Sequence, residues 1–507
     1  MGELVTSDIM NNAVKLHQSG DLHAAREHYE IILGREVHNT DALNLLGLVN
    51  HQLRDNEQAL VYIEKALILN PDIPEYSNNL GLVLSALGRL DEAEAAYLSA
   101  LSRSPEYADA HYNIGLLENK RGLYDAALAH FRRCKSYAPW HAKVRNGLAL
   151  ALMRLDRIPE ALKEIEDQIE KHSEDVDAFN NLCVVRGLRG EYALAREATE
   201  RALKLNSEHV FARLNRAQLL LLHGDFINGF AEHEWRLQRR DYRQKFSVPF
   251  WEGECLPNKT IILWAEQGHG DAIQFIRYAK LVKTRVGRVV ISCRQSLQRL
   301  FTYVEGVDEV TVGDKPVHAD CHAPLMSLPY IFKTQLHTIP SQVPYIPVKK
   351  KCCVTVHTQQ LKVGLVWAGN PDHARDHRRS LPLQAFGPIF SIPGVKFFSF
   401  QMGTAAEQIS DIKTPLQNVS DGFDDFYDTA CALSDVDLLI TVDTSVAHLA
   451  GALGVPTWVI LDCVPDWRWQ LEREDTPWYP SLRLFRSKGE SSELIGRIAK
   501  ALGDLAC

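Results

Sequence analysis

Apolar and polar positions follow a helical period through the first half of the chain, and this pattern repeats every 34 residues. Each repeat holds two amphipathic stretches and a turn, which predicts a helical hairpin. One position per repeat is small, as expected where two helices cross closely: Ala25, Ala59, Ala93, Ala127, Ala161, Ala195 and Gly229. The turn position is rich in glycine, which reaches positive φ without strain: Gly20, Arg54, Gly88, Gly122, Asp156, Gly190 and Gly224. Because no single hairpin buries its own apolar face, the units are expected to stack into a superhelix.

The 34-residue unit resembles the tetratricopeptide repeat. Units begin near Thr6, Thr40, Pro74, Ala108, Ala142, Val176 and Val210. In that family the first helix of each unit lines a concave surface. Its sixth position here is asparagine in five units and is interrupted at Leu45 and Gly147.

An asparagine amide offers both a donor and an acceptor, so a row of them can hydrogen-bond the main chain of an extended peptide. The row resembles the peptide-binding superhelix of O-linked N-acetylglucosamine transferases. The candidate peptide-binding residues are Asn11, Asn79, Asn113, Asn181 and Asn215. Alternatively, these side chains hydrogen-bond the adjacent repeat and touch no ligand.

Beyond the seventh unit, near Arg243, short apolar runs alternate with helical stretches. This pattern predicts βα units around parallel sheets. Candidate strands form two sets on either side of a Pro-rich linker at 339–347: 260–265, 288–292, 309–312 and 319–322, then 362–368, 396–401, 438–442, 457–461 and 482–485. We predict an α-solenoid over residues 1–243, followed by an α/β part with two Rossmann-like lobes, 244–347 and 348–507, that face each other across a cleft.

Ligands of open parallel sheets bind at the carboxyl ends of the strands. In the first lobe the run WAEQGHGDAIQF ends a strand, turns at Gly268 and Gly270, and places Asp271 at the start of a helix. A carboxylate in this position can take the proton of an attacking hydroxyl. Alternatively it only caps the helix, where aspartate is favoured.

Two motifs of the second lobe suit a phosphate. In VGLVWAGNPDHARDHRRSLPL, a strand end at Gly369 and Asn370 leads to a loop with Arg379, which offers main-chain N–H groups and a forked cation. A solvated arginine is the alternative.

In LLITVDTSVAHLAGALGVP a strand ends at Asp443, and a helix opens through Thr444, Ser445 and Val446. Such a helix start binds anions through its unpaired N–H groups and dipole. His448, one turn along, is either a ligand contact or a core histidine.

The DTSVAHLAGALGVP run, the WAGNP strand end and the Gly-Asp-Ala turn together resemble the bacterial heptosyltransferases. That family has a two-lobed glycosyltransferase fold of the B type, inverts configuration and needs no metal. The resemblance implies Asp271 as base, Asp443 as a contact to the donor sugar, and Arg379 on the leaving diphosphate, where the family usually has lysine. The donor-binding candidates are then Gly369, Asn370, Arg379, Gln401, Asp443, Thr444, Ser445, Val446, His448 and Trp467.

Trp467 belongs to the tail segment VPDWRWQLEREDTPWYP, whose tryptophans either orient a base or sugar or seal the join with the repeats. His322 is expected at a strand end lining the cleft, as a second candidate base. His318, Asp320 and His322 are alternate residues of a candidate strand and so share one face, which is a geometry that could bind a metal. The sequence shows no fourth ligand, so a metal site is not favoured. We expect no metal and no cofactor besides the nucleotide sugar.

The formal net charge of -8 and pI of 6.2 give no bulk attraction to nucleic acid or anionic membrane. The start of the chain lacks a basic and then apolar leader, and no run reaches the ~18 apolar residues of a membrane span. A cytoplasmic protein is expected. The ten cysteines have no paired spacing and indicate idle thiols.

The function expected is transfer of a sugar from a nucleotide donor to Ser or Thr of a protein held by the repeats. Resemblance in layout to bacterial flagellin glycosyltransferases makes flagellin one candidate acceptor. Two alternatives stay open: a scaffold whose transferase domain is degenerate, and an enzyme acting on a glycan or lipid. The sequence leaves open a nucleoside-diphosphate hexose or heptose and a cytidylate-linked nonulosonic acid.

Overall fold

The computed structural model describes residues 2–239, 246–313, 318–348, 359–373, 375–411 and 415–506. The chain forms two compact units, Met1–Arg186 and Gly187–Cys507. The predicted boundary at Arg243 lies outside the described residues.

Helices α1 to α14 form the repeats, in seven hairpins. Their bounds are α1 (Gly2–Ser19), α2 (Leu22–Arg35), α3 (Thr40–Gln52), α4 (Asn56–Leu69), α5 (Pro74–Ala86), α6 (Leu90–Arg103), α7 (Ala108–Lys120), α8 (Tyr124–Tyr137), α9 (Val144–Arg154), α10 (Ile158–Lys171), α11 (Val176–Leu188), α12 (Tyr192–Leu205), α13 (Val210–Leu222) and α14 (Phe226–His233). Each second helix begins 34 residues after the one before it. The predicted α-solenoid is therefore confirmed.

The turn inside each hairpin requires a positive φ. All seven predicted turn residues have it, including the non-glycine residues Arg54 (φ 68°) and Asp156 (φ 57°). The small residue of the second helix, for example Ala59, is fully buried. Tight helix crossing and a left-handed turn residue thus set the repeat length.

The first sheet of the α/β part is parallel, with strand order β3-β2-β1-β4. Its strands are β1 (Leu256–Trp264), β2 (Val286–Cys293), β3 (Glu309–Val312) and β4 (Cys321–Pro324). The helices of this lobe are α15 (His269–Phe275), α16 (Ala279–Lys283), α17 (Gln295–Phe301) and α18 (Leu328–Ile331).

The second sheet is also parallel, with order β10-β9-β8-β5-β6-β7. Its strands are β5 (Leu361–Val366), β6 (Val395–Ser399), β7 (Leu416–Asn418), β8 (Leu438–Val442), β9 (Thr457–Leu461) and β10 (Leu482–Arg486). Its helices are α19 (Asp376–Arg379), α20 (Gly387–Phe390), α21 (Phe426–Leu433), α22 (Ser445–Leu453) and α23 (Ser491–Ala506). The predicted α/β class is confirmed.

The last repeat helices share a core with the α/β part. Phe226 and Phe230 of α14 pack on the rings of Trp467 and Trp478, with centroids 5.7 to 6.5 Å apart. A short 3₁₀ helix, Glu234–Gln238, follows α14 where the seventh unit departs from the repeat pattern. None of the described helices is both long and apolar enough to cross a membrane.

Candidate functional site

The turn after β1 carries Asp271, the third residue of α15. Its Oδ2 accepts a hydrogen bond from the Gly268 main-chain N–H at 2.8 Å, and its Oδ1 accepts one from Arg468. The side chain is 19% exposed, so it still reaches solvent. The carboxylate therefore supports the start of α15 and also takes part in a charge cluster, and the two interpretations of Asp271 are not exclusive.

The turn after β8 presents the start of α22. No side chain caps this helix, whose N-cap residue is Thr444, and Asp443 to Val446 are all half-buried. The Ala447 N–H donates to the Thr444 carbonyl at 3.1 Å, and the first amides of the helix, at Ser445 and Val446, have no partner within the helix itself. An anion placed here meets those amides and the positive end of the helix dipole.

These two turns lie against each other. Gly270, next to Asp271, approaches α22 so closely that a Cβ on it would lie 2.7 Å from His448 Cδ2. His448 is fixed from the other side, because its Nδ1 is 2.8 Å from the Tyr479 hydroxyl and its ring stacks on Trp469. The two motifs that the sequence singled out, one from each lobe, therefore meet.

Arg468 connects the two lobes. Its guanidinium donates to Asp271, to Asp466 Oδ1 at 2.9 Å and to Gln274 Oε1 at 2.6 Å. It also lies over the Trp467 ring, 4.4 Å from the centroid. With 7% of its surface exposed, this arginine fixes Asp271 relative to the second lobe.

Asp443 lies near enough to Asp466, Arg379 and Arg468 for their charges to affect its carboxylate. Burial and the neighbouring Asp466 carboxylate raise the pKa of Asp443, against the opposing effect of Arg379 and Arg468. Burial and then the positive charge of Arg468 lower the pKa of His448 to about 3. His448 is therefore neutral at ordinary pH and matches the core-histidine alternative.

The loop after β5 brings Arg379 over the strand end. A Cβ on Gly369 would lie 2.5 Å from Arg379 Nη2, so the guanidinium lies directly over this glycine. Arg379 Nε donates to Asp376 at 3.0 Å, and Asp376 accepts from Ser380, whose hydroxyl accepts from the Gly369 N–H. Since β5 and β8 are neighbours, this loop and the start of α22 share one sheet edge.

Two further donor-site candidates have structural partners. Gln401 accepts from the N–H groups of Trp367 and Ala368 at 3.0 and 2.9 Å, and donates to the Ala368 and Met402 carbonyls. Its amide thus clamps the ends of β5 and β6, and its place among the donor-binding residues stays a prediction. Asn370 is exposed, and its side chain accepts from the Asp372 N–H at 3.1 Å in the loop.

Trp467 takes the second of its two predicted roles. It is 7% exposed and packs on Phe226, Phe230 and Trp478. Its ring seals the join with the last repeat helices, which corrects its assignment to the donor site.

His322 is the second residue of β4, because this strand continues to Pro324, so the expected position at the strand end is wrong. Its ring is buried among Phe246, Phe250 and Trp264, and Trp264 Nε1 donates to its Nδ1 at 3.3 Å. Burial lowers the pKa of His322. It does not join the Asp271 cluster, which leaves Asp271 as the candidate base.

Residues 318, 320 and 322 are the alternate positions considered above for a metal, and Asp320 among them has a structural role. The Asp320 carboxylate accepts from Lys259 Nζ and from the Thr260 N–H, both at 2.8 Å. Across the described residues, no group of three His, Cys, Asp or Glu side chains is arranged to hold a metal ion.

The asparagine row mainly links neighbouring repeats. Asn79, Asn113 and Asn181 each donate their amide N–H to an asparagine of the preceding repeat, at 2.9, 2.8 and 3.3 Å. Those acceptors are Asn44, Asn78 and Asn146. Gly147 interrupts the row because the Phe131 ring would lie 2.7 Å from a Cβ there.

The alternative that the row joins adjacent repeats therefore holds for these three residues. Of the other two, Asn11 is exposed and Asn215 half-buried.

Sequence reasoning missed two residues of this region. Arg468 follows Trp467 in the sequence and was not among the candidate residues, although it reaches Asp271, 197 positions away. Glu266, within the WAEQGHGD run, forms a buried ion pair with Arg236 at 2.8 Å and so links the 3₁₀ helix after α14 to the first lobe. Both residues stand among other polar residues in the sequence, so no local signal singled them out.

Comparison with known proteins supports the repeats. The model of the family described as Tetratricopeptide repeat matches residues 16–74 and 78–139. The N-terminal region of this chain consists of tetratricopeptide repeats. A crystal structure of a tetratricopeptide repeat protein from Parabacteroides merdae is 18% identical, has a TM-score of 0.40, and covers 47% of this chain and 94% of its own. Pseudomonas aeruginosa pilF is 21% identical, has a TM-score of 0.35, and covers 41% and 93%.

Among curated proteins, the chain is similar to Protein FlbA of Caulobacter vibrioides. The two are 25% identical over 441 residues, which cover 71% of this chain and 72% of FlbA. Helices α1 to α14 end at His233. Because 71% of the chain is longer than the stretch up to His233, the match with FlbA must continue from the repeats into the α/β part.

Proposed function

We propose that this chain is an inverting glycosyltransferase that moves a sugar from a nucleotide-sugar donor to a Ser or Thr hydroxyl of a protein bound by its repeats. The observation that carries the proposal is the contact between the turn of Asp271 and the uncapped start of α22, where Gly270 meets His448. It brings a carboxylate from one lobe next to a helix start of the other lobe, and an uncapped helix start is suited to an anion. Tetratricopeptide repeats generally bind protein partners, which supports a protein acceptor.

In the proposed reaction, the acceptor hydroxyl gives its proton to the Asp271 carboxylate while its oxygen bonds to the anomeric carbon. An ionised carboxylate has about four lone-pair sites, so the bonds from Arg468 and Gly268 leave room for this proton. The bond from the anomeric carbon to the phosphate oxygen breaks, and the electron pair leaves with the phosphate.

The negative charge that grows on the leaving phosphate meets the amides of Ser445 and Val446 and the Arg379 guanidinium. Fixed donors of this kind stabilise a developing charge without having to reorganise, and positioning of the two substrates supplies most of the remaining acceleration. Arg468 keeps Asp271 in place during the step.

Two experiments test the proposal. First, a nucleotide and nucleotide-sugar panel is screened by thermal shift, because a ligand at a hundredfold excess over its Kd stabilises by about 3 kcal/mol. Binding should weaken in Arg379→Ala. A chain that no nucleotide or nucleotide sugar stabilises is the scaffold alternative.

Second, transfer to a co-expressed acceptor protein, for instance flagellin, is followed by the mass shift of the acceptor. Asp271→Asn should reduce transfer by at least about a hundredfold. Asp504→Asn, an exposed change on α23, is the control and should transfer normally. Full activity of Asp271→Asn removes Asp271 as base, and activity on a free glycan after deletion of the repeats favours the glycan or lipid alternative.

A further inference from the structure

Tyr192, the first residue of α12, carries a hydroxyl that the repeat itself does not use. The Tyr192 ring packs against the core that the last repeat helices share with the α/β part, and its centroid is 5.8 Å from that of the His223 ring. Its hydroxyl oxygen is buried and has no hydrogen-bond partner within the described part of the chain. The first residue of the second helix is apolar in four other hairpins: Leu22, Leu90, Ile158 and Phe226. A buried polar group left unpaired is unfavourable, so this hydroxyl is suited to a partner from outside the chain.

The charged groups around this hydroxyl belong to the second lobe. Burial raises the pKa of the Tyr192 phenol, and the charges of Arg375, Asp462 and Arg486 lie close enough to affect it. Arg375 belongs to the loop after β5, Asp462 follows β9, and Arg486 ends β10. Because these strands are parallel in the order β10-β9-β8-β5, their carboxyl ends lie at one edge of the sheet. Tyr192 therefore brings a group of the sixth hairpin to the edge that carries the candidate phosphate site.

Arg375 is a second group at this place that lacks a partner. Its side chain is half-buried, and burial lowers the pKa of its guanidinium although the nearby Asp466 carboxylate raises it. Within the described residues, the guanidinium makes no hydrogen bond or ion pair. Two neighbouring arginines are paired, since Arg379 donates to Asp376 at 3.0 Å and Arg486 donates to main-chain carbonyls. A cation and a hydroxyl donor that both lack an acceptor are together complementary to an anion.

Arg375 and Tyr192 lie beside the candidate phosphate site. The Asp466 carboxylate acts on the charge of Arg375 and on that of Asp443, which precedes the start of α22. Arg379, in the same loop as Arg375, also acts on Asp443. The start of α22 and Arg379 are proposed above to hold the phosphate that carries the sugar. This leaves Arg375 and Tyr192 for another anionic group of the same ligand.

A nucleotide-sugar donor carries such a group in each of the two forms considered above. In a nucleoside-diphosphate sugar it is the second phosphate, and in a cytidylate-linked nonulosonic acid it is the carboxylate of the sugar. Both are oxyanions that accept hydrogen bonds from a guanidinium and a hydroxyl. We propose that Tyr192 and Arg375 bind this second anionic group, so that the sixth hairpin forms part of the donor site. The inference rests on the proposed glycosyltransferase function and adds a residue of the repeats to its donor site.

The stability of the ligand-free chain gives a first readout. Because the Tyr192 hydroxyl has no partner there, Tyr192→Phe removes an unfavourable buried group and should leave the midpoint of urea unfolding unchanged or raise it. Arg375→Gln removes a half-buried charge without a partner and should have the same effect. Side chains with a merely structural role would lower the midpoint when they are replaced.

Donor binding gives a second readout, measured by calorimetry on the full-length chain. The ligands are UDP, GDP, ADP and CDP, their monophosphates, and CMP-N-acetylneuraminic acid. Tyr192→Phe and Arg375→Gln should each weaken binding of a ligand with the second anionic group by about tenfold or more, because a hydrogen bond to a charged group is lost. Tyr330→Phe on α18 and Lys500→Gln on α23 are exposed controls, and both should bind within about twofold of the unaltered chain.

The ligands also distinguish the two sources of the anionic group. A loss of affinity confined to nucleoside diphosphates indicates the second phosphate. A loss confined to CMP-N-acetylneuraminic acid, with CMP itself unaffected, indicates the carboxylate of the sugar. Either result supports the inference.

Three results overturn the inference alone. They are binding that Tyr192→Phe leaves within about twofold while Arg379→Ala weakens it, an equal loss for ligands with and without the second anionic group, and a lower urea midpoint for Tyr192→Phe than for Tyr330→Phe. A panel in which no ligand binds the unaltered chain, or in which Arg379→Ala binds normally, instead refutes the proposed function and this inference with it.

Discussion

Gly270→Ala tests the contact on which the candidate site depends. The added Cβ would lie 2.7 Å from His448 Cδ2, whereas two carbon atoms prefer about 3.5 to 4.0 Å. His448 cannot rotate away easily because Tyr479 and Trp469 hold its other side. The turn of Asp271 and α22 must therefore separate by roughly 1 Å.

The expected cost follows from two opposing effects. Overpacking of a core costs about 1 to 3 kcal/mol, while alanine in the first turn of α15 returns up to about 1 kcal/mol through its helix propensity. With the full propensity gain the net loss of unfolding free energy is about 0 to 2 kcal/mol relative to the unaltered chain, and about 1 to 3 kcal/mol relative to a control variant that has the same gain.

The assay is urea unfolding followed by tryptophan fluorescence. Eight of the nine tryptophans follow residue 187, so the signal reports mainly the unit that contains the site. Gly496→Ala is the matched control, because nothing lies within 4 Å of its added Cβ and it stands inside α23. This control should be neutral or stabilising. A Gly270→Ala protein as stable as the control would show that the two turns do not pack as described, and would remove the basis of the proposed site.

Two further predictions concern the same unit. Glu266→Gln removes one of the two carboxylates that pair with the buried Arg236. The free energy of unfolding, followed by thermal unfolding, should fall by about 3 to 5 kcal/mol. A fall below about 1 kcal/mol would show that Glu234 alone neutralises this arginine. The pKa of His448 is about 3 in the folded chain, below its ordinary value of 6.5. Because the unfolded chain then binds a proton at this histidine more readily, its contribution to the free energy of unfolding is complete above pH 6.5 and is lost as pH falls. The loss is about 2 kcal/mol at pH 5. Urea unfolding at several pH values checks this. Between pH 7 and pH 5 the unfolding free energy of His448→Gln should fall less steeply than that of the unaltered chain, and an equal fall in both would contradict the prediction.

Much of the fold could be predicted from the sequence because local pattern determined it. Strands β3, β8 and β9 have the predicted bounds, β8 and β9 as mainly apolar runs and β3 as a short run in which valine alternates with polar residues. Strand β7 was not predicted, because three residues, Leu416–Asn418, give too little periodicity. The start of α9 at Val144 was also not predicted, because the repeat spacing places the first residue of this helix at Ala142.

The site was less predictable because its residues interact over long distances. The sequence places Asp271 and Asp443 at strand ends, but not the arginine between the lobes. In the sequence, a polar residue at a strand end that binds a ligand cannot be told from one that, like Gln401, hydrogen-bonds the main chain. The amide of Asn79 likewise suits a peptide as well as a neighbouring repeat, and only the geometry shows that it donates to Asn44.

The shared core of α14 and the α/β part has a consequence for synthesis on the ribosome. Repeats in the first unit complete their contacts with near neighbours in sequence and can fold as they emerge. Phe226 and Phe230, in contrast, acquire Trp467 and Trp478 as partners only when the chain is almost finished. Because domains fold in the order of translation, these two rings stay without those partners while residues 231 to 467 are added, which makes the seventh hairpin a point where chaperones should engage the nascent chain.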